Sequence, residues 1–401
     1  MINTHLVYPN LLLNLTHMNS PKKLLIISHS CITSVNQQFY AEVERQTNWK
    51  LIIITPSNWN NQYSSKINPE RWSAYKGQLL SIPVWKPGNI PLHIYRSIFI
   101  PLFQKLQPDA IFVRQEPYAA VAAQVYLANR LSIQKPIGFF TWQNIFKKYP
   151  FPFQQTQNFV LQESCYAFSG SYSANEVLKQ KGYHSNSVIL PAGIDLDIYF
   201  PQPESKNLKS QLCPTQDKVI IGYMGRIVEE KGLKTLLNAL KKVEHLPWHL
   251  VIVGSGSFET EFDTITNELQ LTNRVNCVGY VPHSEAPSYL SAFDLLVIPS
   301  ETRSNWKEQF GRVIIEAIAC GTPVLGSDSG EIPHLIQATG GGLTFSEGQP
   351  ESLAEQLKHL ILNPSLRLQL TEQGRVSVSQ KYTNTSLATK FHETIECIIE
   401  K

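Results

Sequence analysis

Two glutamates, Glu308 and Glu316, stand eight positions apart around a Phe-Gly turn. A short apolar strand ends at Pro299-Ser300, and residues 313–319 are apolar at helical spacing, so we expect Glu308 in a loop and Glu316 inside the following helix. Eight residues cover at most roughly 12 Å along a helix axis. That is about the reach from a sugar ring, across a diphosphate, to a ribose, and the free N–H groups of the helix N-terminus suit the diphosphate. The spacing therefore favours a site for a sugar nucleotide.

A basic pair, Arg226 and Lys231, stands just before another predicted helix. Residues 219–224 predict a buried strand, Gly225 follows it, and an apolar helix is expected from Leu233 to Leu240. An arginine fork can bind phosphate bidentately, and lysine adds a compact point charge. Taken alone, such a pair is more often ordinary surface. Together with the two glutamates, it indicates groups that neutralise a diphosphate leaving group.

The glutamate segment resembles the E-x7-E signature of retaining glycosyltransferases with the GT-B fold, the family-4-like group. The resemblance extends over about residues 185–345 and is weaker in the N-terminal half. In that family the first glutamate contacts hydroxyls of the donor sugar and the second binds the ribose. The resemblance therefore assigns these roles to Glu308 and Glu316, and its G-R-x-x-x-x-K-G pattern assigns the diphosphate to Arg226 and Lys231. The implied catalytic set is Glu308, Arg226 and Lys231.

Further donor contacts are expected from the turns that follow strands of the C-terminal half. One strand ends in a G-x-G that lacks the third glycine of a dinucleotide fingerprint, so a nicotinamide dehydrogenase is a weaker alternative. Residues 275–282 resemble the strand and turn whose backbone faces the nucleotide base. Besides Glu316, the candidate donor-binding residues are Phe310, Gly311, Gly225, Gly254, Gly256, Gly279 and Tyr280.

Asp195 and Asp197 form a D-x-D sequence. In a different glycosyltransferase fold, such a sequence holds a divalent metal. Here Phe200-Pro201 completes a pattern that resembles the turn at the end of the first domain of GT-B enzymes. We interpret it as a linker turn, so no metal is implied. The sequence also lacks a phosphate-binding P-loop, an H-E-x-x-H motif and paired C-x-x-C motifs. No cofactor is expected beyond the nucleoside-diphosphate sugar, which is a co-substrate.

Alternating strand and helix patterns predict an α/β protein with two Rossmann-like, doubly wound parallel-sheet domains that face each other across a cleft. Strands are expected at 24–28, 51–55, 110–113, 137–141 and 166–169, and helices at 36–45, 117–131 and 175–181. The predicted divisions are an N-terminal tail (1–20), an acceptor-binding domain (21–197), a linker (198–217), a donor-binding domain (218–385) and a C-terminal helix (386–401) that returns to the first domain, as the resemblance suggests.

The acceptor is expected at the carboxyl ends of the first sheet. The candidate residues there are Ser34, Arg114, Glu116, Trp142 and Asn144. Many family members have a glycine pair after the first strand and a histidine after a middle strand, whereas this chain has Thr33-Ser34 and Trp142-Gln143-Asn144. His29 is the sole histidine of these loops. It is more typical of a structural residue than of a base, and the family's retaining chemistry is thought to use the leaving phosphate oxygen instead.

The composition agrees with a two-domain enzyme. The chain has 401 residues, more than a single hydrophobic core normally covers, and 42% of them are hydrophobic. Its net charge of +3 gives no indication of nucleic-acid binding. Six scattered cysteines predict reduced core residues in a cytoplasmic protein. The first 21 residues contain no Lys or Arg and no apolar run long enough to span a membrane.

Membrane contact is a second hypothesis for the segment 144–153, which mixes aromatic residues with Lys147 and Lys148. This composition could touch an anionic lipid surface at the inner face of a membrane, or a lipid-linked acceptor. The alternative is an ordinary loop that packs its aromatic residues on the domain, which is the commoner case.

Three classes of function remain open from the sequence. The first is a retaining glycosyltransferase that moves a sugar from a nucleoside-diphosphate sugar to a glycan, lipid-linked or small-molecule acceptor. The second is another GT-B enzyme, such as a sugar-nucleotide epimerase or a donor hydrolase. The third is a non-catalytic sugar-nucleotide-binding protein. The sugar, the base and the acceptor leave no signature that identifies them.

Overall fold

A computed structural model describes residues 21–60, 66–213, 215 and 217–400. The tail predicted for residues 1–20 lies outside them. The first half contains strands β1 (Lys23–Ile27), β2 (Lys50–Pro56), β3 (Trp59–Asn60), β4 (Lys66–Ile67), β5 (Gln78–Ile82), β6 (Val84–Trp85), β7 (Ile94–Tyr95), β8 (Ala110–Val113), β9 (Ile137–Thr141), β10 (Tyr166–Ser169) and β11 (Asn186–Ile189). Its helices are α1 (Gln38–Gln46), α2 (Phe99–Leu106), α3 (Ala120–Arg130), α4 (Phe153–Glu163) and α5 (Tyr172–Gln180).

The second half begins with a helix and then alternates strands with helices. Its strands are β12 (Val219–Met224), β13 (Trp248–Val253), β14 (Val275–Gly279), β15 (Leu295–Ile298), β16 (Val324–Ser327) and β17 (Gly342–Phe345). Its helices are α6 (Ser205–Leu212), α7 (Leu233–Lys242), α8 (Glu259–Glu268), α9 (Ala286–Ala292), α10 (Arg312–Ala319), α11 (Ile332–Thr339), α12 (Pro350–Leu362), α13 (Pro364–Lys381) and α14 (Asn384–Ile399).

The first sheet is entirely parallel, in the order β11-β10-β9-β8-β1-β2-β5. Its central strands are continuous apolar runs because helices cover both faces, as in β1, where Leu24 to Ile27 are all buried. The five strands predicted for this half are present, and their ends differ from the prediction by at most one residue. The edge strands β5 and β11 escaped prediction because they are half-exposed and less apolar.

The second sheet is also parallel, in the order β14-β13-β12-β15-β16-β17. Its strand order reverses between β12 and β15, which pair directly through Ile221 with Leu295 and Gly222 with Leu296. Open parallel sheets bind ligands in the crevice outside the carboxyl ends of the strands at such a switch point. The two sheets therefore form the facing α/β domains that the sequence predicts.

The segment 198–217, which the sequence predicts to be a loose linker, contains the helix α6. Its residue Leu212 joins the core beneath the second sheet, and the neighbouring Cys213 is buried there too. Tyr199, just upstream, is buried in the same core. The leucines at 208 and 212 are spaced one helical turn apart, so one face of α6 is apolar although the helix also contains two lysines and two serines.

The C-terminal helix α14 packs on the first domain although the chain reaches it from the second. Leu387, Phe391 and Ile395 lie in the first-domain core beside α1. At its far end, Lys22 Nζ forms ion pairs with Glu396 and Glu400 at 2.7 and 2.9 Å. The first domain is thus completed by residues from both ends of the described chain.

The cysteines do not all behave as core residues. Cys31, Cys213 and Cys320 are buried, whereas Cys165, Cys277 and Cys397 are exposed. The prediction of core residues is wrong for the three exposed cysteines, and Cys277 is exposed because β14 is an edge strand. No helix among the described residues is long and apolar enough to cross a bilayer.

Candidate active site

The residues predicted to hold a sugar nucleotide emerge at the switch point of the second sheet. Arg226 follows β12, Lys231 ends a short 3₁₀ turn before α7, and Glu308 lies in the loop between β15 and α10. Because β12 and β15 are neighbours, their carboxyl ends bring these loops to one edge of the sheet. Glu316 lies inside α10, as the sequence predicts.

Lys231 and Glu308 form an ion pair across this edge, with Nζ and Oε2 2.5 Å apart. Both side chains are sheltered, with 17% and 12% of their surfaces exposed. Ser300 Oγ donates a hydrogen bond to the same carboxylate oxygen at 3.1 Å, and the Lys231 ammonium lies 5.0 Å from the centre of the Trp306 ring. The pair thus places a cation and a hydrogen-bond acceptor side by side in one polar cleft.

Gly232 explains how the turn that carries Lys231 can approach β15 so closely. The backbone of Gly232 has φ +67°, and a Cβ placed on it would lie 1.9 Å from the carbonyl oxygen of Pro299. A side chain at this position would push the 3₁₀ turn away from the end of β15. The glycine therefore fixes the distance between Lys231 and the loop of Glu308.

Arg226 is separate from this pair. Its side chain is 62% exposed, and its nearest carboxylate is Glu230, at 3.8 Å. Its exposed side chain can reach a ligand without first breaking a buried contact. The structure thus brings Lys231, but not Arg226, into contact with Glu308.

Glu316 is buried inside α10 and has partners that the sequence did not reveal. Arg312, one turn earlier, binds its Oε1 through Nε at 3.0 Å. Burial raises the pKa of Glu316, while the positive charges of Arg312 and His283 and a hydrogen bond from Tyr199 oppose that shift. Tyr199 in turn contacts His283 Nε2 at 2.8 Å. Arg312 could have been found from its i, i+4 spacing, whereas Tyr199 and His283 come from distant segments.

The remaining candidate donor residues line the turns around the same edge. Gly254, after β13, has φ +140°, and a Cβ on it would lie 1.8 Å from the carbonyl oxygen of Gly225, so the two turns touch through their backbones. Gly256 follows Gly254, Gly279 ends β14, Tyr280 is 76% exposed beyond it, and Gly311 is the N-cap of α10. Phe310 is buried. Most of these residues are glycines, which have only backbone groups to bring close to a ligand.

The first domain contacts the segment that carries Glu308 through Asn144 and Trp142. Asn144 Nδ2 donates to the Glu308 carbonyl oxygen at 3.0 Å. Gln309 Nε2 donates to the Trp142 carbonyl oxygen at 3.3 Å, and the rings of Phe310 and Trp142 lie 6.0 Å apart. Both first-domain residues were predicted on the acceptor side, and they lie where the two domains meet.

Glu331 makes a second interdomain contact that sequence reasoning missed. Its buried carboxylate accepts hydrogen bonds from Tyr172 N at 2.8 Å, Ser173 N at 2.9 Å and Ser173 Oγ at 2.7 Å. A residue of the second domain thereby caps the helix α5 of the first. The backbone N–H of Glu331 also donates to the Glu308 carbonyl oxygen at 3.1 Å, so the cap is linked to the candidate site.

Glu116 supports the end of β9 from within the cleft. Its carboxylate accepts from Thr141 Oγ1 at 2.7 Å and from Trp142 N at 2.8 Å, and burial raises its pKa. It lines an interdomain cavity of about 230 Å³ together with Asn144 and Trp306. Both carboxylate oxygens of Glu116 are therefore already used to hold the loop that follows β9.

Lys181 supports the same loop from the first domain, and no motif in the sequence points to it. Its Nζ donates to Gln143 Oε1 at 2.5 Å and to Gln157 Oε1 at 2.7 Å, and it lies 4.9 Å from the centre of the Tyr149 ring. Burial lowers the pKa of this ammonium to about 8. The loop after β9 is thus held on a partly buried cation.

Ser34 and Arg114 differ in their surroundings. Ser34 bonds to an exposed carboxylate, with Oγ 2.8 Å from Glu70 Oε2, whereas Arg114 follows β8 and lines a cavity between the domains. His29 packs on Trp59 with ring centres 4.9 Å apart, and its Nδ1 lies 2.8 Å from Gln115 Oε1. Burial, helped by a second histidine nearby, lowers the pKa of His29 to about 4, which agrees with a structural role.

Comparison with known proteins finds a family that resembles part of this chain. Residues 204–377 match the family model described as glycosyl transferases group 1. A GDP-mannose-dependent α-(1-6)-phosphatidylinositol monomannoside mannosyltransferase of Mycobacterium tuberculosis is 25% identical over 56% of this chain and 59% of its own length. A D-inositol 3-phosphate glycosyltransferase of Corynebacterium jeikeium is 29% identical over 52% of this chain and 51% of its own. The chain thus spans a little over half the length of these relatives.

Solved structures resemble the chain over nearly its whole length. A sucrose-phosphate synthase from Thermosynechococcus elongatus has a TM-score of 0.71 at 18% identity, covering 94% of this chain and 99% of its own. The Anabaena protein HepE in complex with UDP has a TM-score of 0.69 at 16% identity, covering 94% and 100%. At such identities the likeness shows the fold alone. Residues 204–377 thus match the group 1 glycosyl transferases, and the two facing sheets have the GT-B fold.

Proposed function

We propose that this protein is a retaining glycosyltransferase that moves a sugar from a nucleoside-diphosphate sugar to an acceptor held by the first domain. The observation that carries the proposal is the placement of Glu308 and Glu316 on either side of the N-terminus of α10, at the switch point of the second sheet. Lys231 already lies in contact with the first of these carboxylates. This arrangement offers a separate group to each part of a sugar nucleotide.

In the proposed complex, the diphosphate lies at the N-terminus of α10, between Lys231 and Arg226. The uncompensated backbone N–H groups and the positive end of the helix dipole favour an anion there. As the bond from the sugar to the phosphate breaks, negative charge grows on the leaving oxygen, and preorganised cations stabilise that charge more than they stabilise the ground state. These groups therefore act on the transition state.

Glu308 has a different task in this proposal, because its carboxylate accepts hydrogen bonds from hydroxyls of the transferred sugar. Asn144 and Glu331 hold its carbonyl oxygen from two sides, so its side chain projects from a fixed backbone. Such fixation orients the anomeric carbon toward the first domain. The leaving phosphate oxygen takes the proton of the acceptor hydroxyl on the same face of the sugar, which gives retention.

The nucleotide base has two candidates. The structures of HepE were solved with UDP and with UDP-glucose, and the mycobacterial relative is named as GDP-mannose-dependent. A thermal-shift panel of nucleoside diphosphates and their sugars would rank them, because a ligand that binds the folded state raises the apparent stability by mass action.

The stereochemistry of the product tests the proposed function directly. The purified chain is incubated with the preferred sugar nucleotide and a panel of glycan, lipid-linked and small-molecule acceptors, and the new linkage is read by proton NMR. Retention of the donor's anomeric configuration supports the proposal, and inversion refutes the retaining mechanism. Donor turnover that yields free sugar or an epimer with every acceptor favours the second class of enzyme, and donor binding with no turnover of any kind favours a non-catalytic protein.

We further propose that the loop before α4 contacts a membrane surface or a lipid-linked acceptor. Phe151 is 81% exposed and Phe146 is 47% exposed, beside the exposed Lys147 and Lys148. Exposed aromatic residues with adjacent lysines suit an anionic interface. We predict co-sedimentation with vesicles that contain anionic lipid and its loss in the double variant Lys147→Glu, Lys148→Glu. Equal binding of the variant, or none by the wild type, would leave an ordinary surface loop.

A further inference from the structure

A second basic cavity lies between the domains, apart from the Lys231–Glu308 pair. We call it the arginine cavity. It has a volume of about 140 Å³ and is lined by Arg114, Arg312, Tyr40, Phe140, Trp142 and Asn384, among others. None of the residues that line it is an aspartate or a glutamate. Two arginines therefore line one small cavity whose wall contains no acidic residue.

Arg114 supplies the first of these groups from the carboxyl end of β8. Its guanidinium lies close to the Tyr40 hydroxyl and the Cys31 thiol and 5.8 Å from the centre of the Phe140 ring. These neighbours are neutral at ordinary pH, and none of the aspartates or glutamates in the described part of the chain forms an ion pair with it. Charged side chains that are withdrawn from water are normally paired, because an unpaired charge there is costly. The surroundings of Arg114 thus lack one anion.

Arg312 faces the same cavity from the other domain, at the first residue of α10. It uses Nε to bind Glu316, and its side chain remains 45% exposed. The planar guanidinium carries further N–H donors that this single contact does not use. An oxyanion in the cavity could therefore receive hydrogen bonds from both domains at once.

The arginine cavity borders the N-terminus of α10 through Arg312, but neither of the two cations proposed for the donor diphosphate lines it. Those groups, Lys231 and Arg226, follow β12 in the second sheet, whereas the cavity opens beside β8 and β9 in the first. Trp142 connects the two regions: its ring lines the cavity, and its carbonyl oxygen bonds the residue next to Glu308. A molecule anchored in the cavity would thus lie beside the proposed sugar site.

We propose that the arginine cavity binds an anionic group of the acceptor, a phosphate or a carboxylate, between Arg114 and Arg312. This inference rests on the proposed function where it identifies the bound molecule as the acceptor. The presence of an anion site does not depend on that function. Arginine is suited to both groups because its planar fork matches their oxygens bidentately. The proposal narrows the acceptor to a molecule that carries a negative charge near the hydroxyl that reacts.

Inorganic phosphate and acetate serve as probes for the two anion types. The full chain is first saturated with the nucleoside diphosphate that it binds most tightly, so that the donor site is filled, and is then titrated with each probe while its thermal stability is followed. The variants are Arg114→Met and Arg114→Lys, with Arg96→Met as the matched control, since Arg96 is exposed on the first domain and stacks on Trp85.

We expect at least one probe to stabilise both the wild type and Arg96→Met. The probe that does so identifies the type of anion that the cavity binds. Its apparent Kd should rise about 10-fold or more in Arg114→Met and less in Arg114→Lys, because a lysine keeps the charge but loses the fork. The empty Arg114→Met protein should unfold at the same temperature as the wild type or higher, because it no longer holds an unpaired guanidinium. If Arg114 had only a structural role, Arg114→Met would instead unfold at a lower temperature than the wild type.

Several outcomes would overturn the proposal. These are no stabilisation of the saturated wild type by either probe, an unchanged Kd in Arg114→Met, or stabilisation that disappears once the nucleoside diphosphate is present, which would place the anion in the donor site. If Arg114→Met fails to fold, Arg312→Met carries the same test, and an unchanged Kd there would equally refute it. Failure to find any sugar transfer would refute the proposed function without altering these binding results.

Discussion

Replacing Glu308 by glutamine separates the two tasks that meet at the Lys231–Glu308 pair. The substitution keeps the shape of the side chain and removes its charge, while the carbonyl oxygen that binds Asn144 and Glu331 stays in place. The loop should therefore keep its path. The sugar hydroxyls lose a charged acceptor, and the Lys231 ammonium loses the anion that lies 2.5 Å away.

The expected magnitudes follow from the burial of the pair. With 17% and 12% of their surfaces exposed, the two side chains lie between a surface pair, worth up to about 1 kcal/mol, and a buried pair, whose breaking costs about 3–5 kcal/mol. A diphosphate that binds Lys231 must compete with Glu308. If that competition is worth about 1 kcal/mol, Glu308→Gln should bind the nucleoside diphosphate with unchanged affinity or about 5-fold more tightly. Turnover should fall by about 10²-fold or more, the scale for losing one preorganised contact to the transition state.

Calorimetry with the nucleoside diphosphate and initial-rate assays with its sugar measure the two quantities separately. Glu355→Gln is the matched control, because Glu355 is exposed on α12 and should change neither. Weakened nucleotide binding in Glu308→Gln by more than about 10-fold, with its thermal stability intact, would show that Glu308 holds the nucleotide. Wild-type turnover would show that it does not contact the transferred sugar.

The remaining predictions concern three other parts of the molecule. Arg226→Ala and Lys231→Ala should each lower turnover by about 10²-fold or more in rate assays, but thermal unfolding should reveal a loss of stability in Lys231→Ala alone, since Arg226 is largely exposed; wild-type rates would contradict the assignment. Glu316→Ala should weaken binding of the nucleoside diphosphate in calorimetry by about 1.5–3 kcal/mol, the scale of hydrogen bonds to a charged group, and unchanged binding would exclude a ribose contact. The folded-state pKa of His29 is lowered from 6.5 to about 4, so the unfolded chain binds its proton more readily and stability is full above pH 6.5 and is lost as the pH falls toward 4. Between pH 7 and pH 5, protonation of this histidine in the unfolded chain should lower the free energy of unfolding by about 2 kcal/mol, because each unit of pKa difference is worth about 1.36 kcal/mol. Denaturant titrations of His29→Gln should show a shallower dependence on pH, and an equal slope would mean that other groups cause it.

The candidate site of the second domain could be predicted from the sequence in unusual detail because the residues that form it lie close to one another along the chain. The chain places Glu308 and Glu316 around a single turn, and the strand that ends at Met224 leads directly to Arg226. Helical spacing then fixes which of them lie in loops. The fold class follows from the alternation of apolar runs with helical patterns, since parallel strands covered on both faces are apolar throughout.

The first domain was less predictable because its candidate residues depend on long-range contacts. Asn144 could be placed after β9, but its hydrogen bond to the Glu308 carbonyl crosses between the domains and leaves no trace in the spacing. Glu331 is a similar case, since nothing near it in the sequence indicates that it caps a helix 159 residues earlier. Ser34 was grouped with the acceptor loops by position, and its contact with Glu70 depends on a segment that carries no motif.

The packing of α14 on the first domain has a consequence for how this protein is made on the ribosome. Phe112 and Phe168, on strands of the first sheet, lie against Phe391, with ring centres 5.2 and 5.1 Å away. These strands leave the ribosome first, yet their partner follows the whole second domain. At roughly 5–20 residues per second, the nearly 200 residues from β11 to α14 take on the order of 10–40 s to synthesise. For that interval the aromatic face of the first sheet lacks the cover that α14 gives it, so the domain that is translated first is completed last.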